Sequence, residues 1–147
     1  MHVNLIRPCV GISSPTMLFE HQESNRTITG KDGQKLTYFT TRNTPKRSAE
    51  ILNGGSIYWI IKGAIVMRQT ILNIETLPDE AGRNHCKIST CPDIMLTVPE
   101  PRRAMQGWRY LETSQTPPDM HPLDPDDTSQ DDIDPKMAKE LAALGLL

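Results

Sequence analysis

At 147 residues, 37% of them hydrophobic and only 5% aromatic, the chain supports one domain with an appendage that stays out of the core. No apolar run reaches the roughly 18 residues of a membrane helix. The opening MHVNLIRPCVG lacks the basic-then-apolar order of a signal peptide, so a cytoplasmic protein with no membrane association is expected. The net charge of −2 hides a division: residues 1–111 carry 14 Lys and Arg against 9 Asp and Glu, or +5, and residues 112–147 carry 2 against 9, or −7.

In chain order, HVNLIR alternates apolar and polar residues and predicts a short strand ended by Pro8 and Gly11. Ser14 followed by Pro15 predicts a capped helix carrying Met17, Leu18 and His21. Asp32-Gly33 marks a turn, and KLTYFTTR has strand composition. NTPKRSAEILNGG carries the clearest helix signal: Thr44 or Asn43 as cap, Pro45 at the first position, and Asn53-Gly54-Gly55 as terminator. SIYWIIK reads as a central strand apolar on both faces. Gly63 is a turn or bulge, and AIVMRQTILNIETL is a long strand. DEAGRN is a hairpin turn, and HCKISTC is the returning strand.

Pro92, Pro99 and Pro101 make PDIMLTVPEPRR an irregular crossing, and AMQGWRYLE is a short final strand or turn. The Pro- and Asp-rich stretch from Thr113 cannot bury enough apolar surface to offset its ordering entropy. DPKMAKELAALGLL closes the chain as a helix of about three turns. The expected fold class is α+β: about five or six mostly antiparallel strands in a small sheet or partly closed barrel, with two helices in the N-terminal half. The expected division is a globular domain over 1–112, a disordered acidic linker over 113–133 and a short helix over 134–147.

Three sparse cysteines, Cys9, Cys86 and Cys91, argue against a disulfide framework. Cys86 and Cys91 are five apart, so on a flat strand they face opposite ways, and with His85 they lack structural-zinc spacing. No metal and no cofactor are expected. Cys9 reads as a small buried hydrophobe rather than a reactive thiol. No nucleophile elbow or paired carboxylates point to catalytic residues.

The anion-binding signals are stronger. Lys46 and Arg47 fall in the first turn of the expected second helix, where the dipole disfavours cations and an anion would relieve the conflict. In PRRAMQGWRYL, Arg102, Arg103 and Arg109 surround Gln106, Gly107, Trp108 and Tyr110: guanidinium groups suit phosphate, aromatics suit base stacking, and Gly107 admits close backbone approach. Within SIYWIIK, alternation assigns Ile57, Trp59 and Ile61 to a core face. Tyr58, Ile60 and Lys62 fall on a second face, which Arg68 joins if the turn at Gly63 returns it.

TPKRSAEILNGGSIYWIIKG, Arg68-Gln69, PRR and QGWRYL together resemble the bacterial family catalogued as domain of unknown function 1489, over roughly residues 2–120. That resemblance implies no activity. It marks Thr44, Pro45, Lys46, Arg47, Gly54, Gly55, Tyr58, Trp59, Lys62, Gly63, Arg68, Gln69, Arg102, Arg103, Gln106, Gly107, Trp108, Arg109 and Tyr110 as motif positions. The order helix, Gly-Gly, strand, strand also resembles PUA- and ASCH-like β-barrels, which bind RNA or modified bases.

Three functions follow as expectations. The first is an RNA- or nucleotide-binding module, with Lys46, Arg47, Lys62, Arg68, Arg102, Arg103 and Arg109 on phosphate and Tyr58, Gln69, Gln106, Gly107 and Trp108 completing the ligand site. The acidic tail would occupy the basic face when it is empty. The second is an enzyme on a small phosphorylated or nucleotide substrate, with Cys9, His85 and Glu50 as its only obvious groups. The third is a scaffold that meets a protein partner through the acidic tail and terminal helix.

Overall fold

The computed structural model describes residues 2–103 and 105–126. Strand β1 (Val3–Pro8) leads to helix α1 (Pro15–Asn25), then to β2 (Thr27–Thr29) and β3 (Lys35–Thr41). A single helical turn, α2 (Ser48–Ile51), precedes β4 (Ser56–Ile61), the long β5 (Ala64–Pro78) and β6 (Asn84–Thr90). Then come β7 (Met95–Pro101), β8 (Arg109–Glu112), a 3₁₀ turn (Thr113–Gln115) and β9 (Asp119–Pro122). The sheet order is β2-β3-β6-β5-β4-β1-β8, with β7 on β5 and β9 on β7. Only β1 and β4 run parallel among these pairings, with Leu5 opposite Ile57.

Strand β5 serves two parts of the sheet. Its first half pairs with β4 and β7, and its second half, past an irregularity at Ile71–Asn73, pairs with β6. The β4–β5 hairpin turns on Lys62 and Gly63, both left-handed at φ 51° and 80°, the backbone a two-residue primed turn requires. Gly55 has a different reason to be glycine: a Cβ there would stand 2.6 Å from the Ile51 carbonyl oxygen and nearer still to that of Val3.

All six residues of β4 are buried, because the sheet is covered on both faces. On one face Leu5, Ile57, Trp59, Ile61 and Met67 join Leu18 of α1 and Ile51 of α2 in the main core. On the other, Ile6, Tyr58, Ile60, Ile65 and Leu111 form a smaller cluster, with Met105 packed against it. The start of α1 is capped by Ser14, whose hydroxyl accepts from the Met17 N–H at 3.1 Å. A buried amide pair, Gln22 with Gln69, ties α1 to β5.

The α+β expectation is overturned. The chain is mostly sheet, 48% strand against 15% helix, and the sheet is open and mixed rather than a partly closed barrel. Of the two expected helices only α1 exceeds seven residues. The second shrinks, and the capping hydroxyl of Thr44 is engaged elsewhere. The Thr44 hydroxyl is hydrogen-bonded to that of Thr76 at 2.7 Å, and the Asn43 carbonyl accepts from the Trp108 indole at 3.2 Å. The helix then starts after Arg47 without a side-chain cap. The expected irregular crossing at 92–103 contains strand β7 instead: Pro99 falls where its pairing with β5 shifts register, and Pro101 is its last residue, opposite Ala64.

Pairing also continues past the expected boundary at 112: Val98 N–H donates to Pro118 at 2.9 Å, and β9 lies along β7. The linker beyond residue 126 and the terminal helix over 134–147 lie outside the described residues. No helix among the described residues is long and apolar enough to cross a membrane.

Candidate functional site

A cavity of about 810 Å³ opens where the ends of β1 and β3 meet the start of β6 and the loop before β8. Strand pairing builds it. Thr41 lies opposite Cys86, so Arg42 and Asn43 emerge from β3 beside Asn84 and His85 of β6. The β5–β6 hairpin adds Asp79 and Arg83, and Gln106, Gly107 and Trp108 form the facing wall. The Trp108 ring is fixed twice, by its N–H bond to Asn43 and by an edge-on contact to Tyr110 with centroids 5.1 Å apart.

Three guanidinium groups line this cleft: Arg7, Arg42 and Arg83. Among the described residues none of them is ion-paired. Asp79, the one carboxylate in the lining, is engaged with the N–H groups of Ala81 and Arg83 at 2.9 and 2.8 Å in its own turn. Arg7 is half-buried over the Phe39 and Trp59 rings, at 5.3 and 5.9 Å, and donates to the Thr40 carbonyl at 3.2 Å. Burial lowers its affinity for the proton, opposed by the Coulombic effect of Cys9. A desolvated, unpaired cation of this kind is stabilised by any anion that reaches it.

Of the residues singled out by sequence, Gln106, Gly107 and Trp108 stand in this cleft. The others are distributed elsewhere. Arg47 is neutralised from within: it bonds Glu50 at 2.7 and 2.9 Å and Glu112 at 2.8 Å, and lies over the Tyr110 ring. Those two carboxylates hold its guanidinium charged, and Arg47 in turn holds Glu50 below the usual carboxylate range. The anion that sequence reasoning invoked for this turn is therefore part of the chain. Lys46 is exposed beside it.

Arg68 grips Asp119 with two bonds, at 2.8 and 2.7 Å, and reaches the Ser56 hydroxyl at 3.0 Å. Arg102 bonds Glu100 and the Gln115 carbonyl. Lys62 sits in the hairpin turn, and Arg103 is exposed. Arg109 pairs with Ile6, so alternation sends it to the opposite face from Tyr110. Gln69, 1% exposed, belongs to the core network.

The second face of β4 is closed. Tyr58 is 6% exposed, and burial raises its phenol above its ordinary pKa against a hydrogen bond with Thr116. The open cleft lies instead by the face that carries Trp59 and Tyr110. Sequence reasoning missed Arg7, Arg42 and Arg83. Arg7 left a trace, as the charged member of the otherwise apolar alternation Val3, Leu5, Cys9. Arg42 and Arg83 left none, because only the β3–β6 pairing makes them neighbours.

The groups considered for catalysis are also placed. Burial pushes the Cys9 thiol up to about 12, Glu50 is held by Arg47, and His85 lines the cleft with a buried Nδ1 that has no partner among the described residues. No three His, Cys, Asp or Glu side chains among the described residues gather as metal ligands would.

An open mixed sheet with an arginine-lined cleft defines the class only as a β-rich protein with a basic cleft. The chain belongs to the DUF1489 family: the model of that family, a protein of unknown function, matches residues 5–147. The match takes in the acidic tail and final segment that the motif resemblance left out. No curated protein and no solved structure matches the chain, and the PUA- and ASCH-like resemblance is not confirmed.

Proposed function

We infer that the protein binds nucleotides or single-stranded RNA through the cleft between β3, β6 and the loop before β8. The observation that carries this reading is the coincidence of three guanidinium groups without carboxylate partners and one oriented indole around a single cavity. The arginines supply bidentate donors for phosphate, Trp108 supplies a stacking surface, and Gln106 and Asn84 supply amides for a base edge. The phosphate contacts are therefore assigned to Arg7, Arg42 and Arg83 in place of Lys46, Arg47, Lys62, Arg68, Arg102, Arg103 and Arg109.

The test is a titration with short single-stranded RNA across salt. Three phosphate contacts predict a slope of log K against log salt of about −2. Arg42→Ala and Arg83→Ala, both at exposed positions, each reduce that slope by about 0.7. Trp108→Ala weakens binding by about 1–3 kcal/mol. Binding that is undetectable at low salt, or that does not respond to salt, refutes the reading.

A further inference from the structure

A second cavity, of about 420 Å³, shares Arg7 and Thr40 with the cleft. Its character differs. Leu18, Phe39, Trp59 and Cys9 line it, and no Asp or Glu among the described residues does. Val10 and Met17 also line it, and they are 82% and 41% exposed, although large apolar side chains gain by being covered. Its volume lies within the range of small-ligand sites.

The two cavities thus divide their chemistry. The cleft is basic and polar, the second cavity is mainly apolar and aromatic with Arg26 as a second cation in its lining, and Arg7 is the wall between them: it lies against Phe39 and Trp59 on one side and still lines the cleft. A nucleotide divides its chemistry the same way, into an anionic phosphate and a flat, uncharged ring. His21 and Thr40 add polar atoms to the second cavity that can meet a base edge.

We propose that the second cavity takes the base of a nucleotide unit whose phosphate sits in the cleft, with Arg7 held between the two. This rests on the nucleotide-binding reading of the cleft and deepens it, leaving Trp108, Gln106 and Asn84 to the base of a neighbouring unit in a strand. The ligand recognised is one nucleotide unit, free or within a strand, rather than a length of phosphate backbone.

The chain has two tryptophans, and they divide the readout, since Trp108 lines the cleft and Trp59 the second cavity. In Trp108→Phe, Trp59 is the only indole. Its emission and the heat of binding are followed together during titration with a nucleoside monophosphate, a short single-stranded RNA and inorganic tripolyphosphate. The monophosphate changes Trp59 emission along the calorimetric isotherm, and tripolyphosphate binds without changing it. An emission change with the RNA as well shows that the unit is accepted within a strand. Emission that responds to the monophosphate alone restricts the ligand to free nucleotides. Both results support the second cavity.

Val10→Glu, at an exposed position that leaves the core intact, weakens the monophosphate roughly tenfold more than tripolyphosphate. The proposal is overturned by calorimetric binding of the monophosphate with Trp59 silent. It is equally overturned by an emission change that tripolyphosphate reproduces, or by undiminished monophosphate affinity in Val10→Glu. Each of those outcomes leaves the cleft reading standing, whereas failure of all three ligands to bind the wild-type chain by calorimetry overturns both.

Discussion

Replacing Gln69 by Leu tests the assignment of this residue to the core rather than to a ligand. The side chain is 1% exposed, and its amide closes four hydrogen bonds. Its oxygen accepts from Gln22 Nε2 at 3.0 Å and from Trp59 Nε1 at 3.1 Å, and its nitrogen donates to Gln22 Oε1 at 2.9 Å and to the Cys91 carbonyl at 3.2 Å. Leucine keeps the volume and satisfies none of them. The Trp59 N–H and the Gln22 amide, itself 3% exposed, are left without partners in an environment closed to water. At about 1–3 kcal/mol for each orphaned group, offset by the apolar gain of leucine, the expected loss is about 3 kcal/mol.

The assay is urea unfolding, read as a lower midpoint at unchanged slope. Adding Gln22→Leu removes both amides of the reciprocal pair, so the double variant recovers about 1–2 kcal/mol relative to additivity. A single-variant loss below about 1 kcal/mol, or strict additivity of the pair, refutes the network as a stabilising element.

Gly55→Ala forces a methyl group onto the carbonyl oxygens of Val3 and Ile51, so the β1–β4 pairing must open. The expected result is loss of cooperative unfolding in a thermal melt. A chain ending at 112 loses β9 and the Arg68–Asp119 bonds and unfolds at lower urea, whereas one ending at 126 keeps every contact described. Equal midpoints for the two truncations would return the domain boundary to 112.

Arg68 holds the Asp119 carboxyl below its usual range. Its contribution is therefore complete above the unfolded carboxylate pKa of about 4 and is lost as pH falls through the depressed folded value. Since the carboxylate is 42% exposed, Asp119→Asn costs only about 1 kcal/mol near neutrality, and a difference between variant and wild type that does not shrink in acid refutes the coupling. Arg47→Met lowers the melting temperature while leaving RNA affinity unchanged, because Glu50 and Glu112 already occupy that guanidinium; weakened RNA binding with a reduced salt slope would refute this.

Local chemistry determined what the sequence alone could show. Ser14-Pro15 starts a helix because a hydroxyl and a ring-fixed φ meet the needs of its first turn wherever they occur. Gly33, Gly63 and the 79–83 turn fold as expected because positive φ and short-range hydrogen bonds are properties of a few consecutive residues. The two faces of β4 were legible for the same reason, as a period of two that puts Trp59 with the main core and Tyr58 against the smaller cluster.

Tertiary structure decided whatever depended on partners distant in the chain. The helix signal at Thr44-Pro45 was locally sound. It lost to Thr76, whose hydroxyl takes the Thr44 side chain that would have served as the cap. Pro99 did not exclude β7, because the register can shift around a missing donor, and Pro101 falls at the strand's last position. Charge was misread for the same physical reason. Composition counts cations, but a carboxylate delivered from another strand settles which of them are free, and Glu112 and Asp119 arrive beside Arg47 and Arg68 only through folding. Three of the described cations outside any ion pair, Arg7, Arg42 and Arg83, meet because β1, β3 and the β5–β6 hairpin converge, an adjacency that no window of the sequence contains.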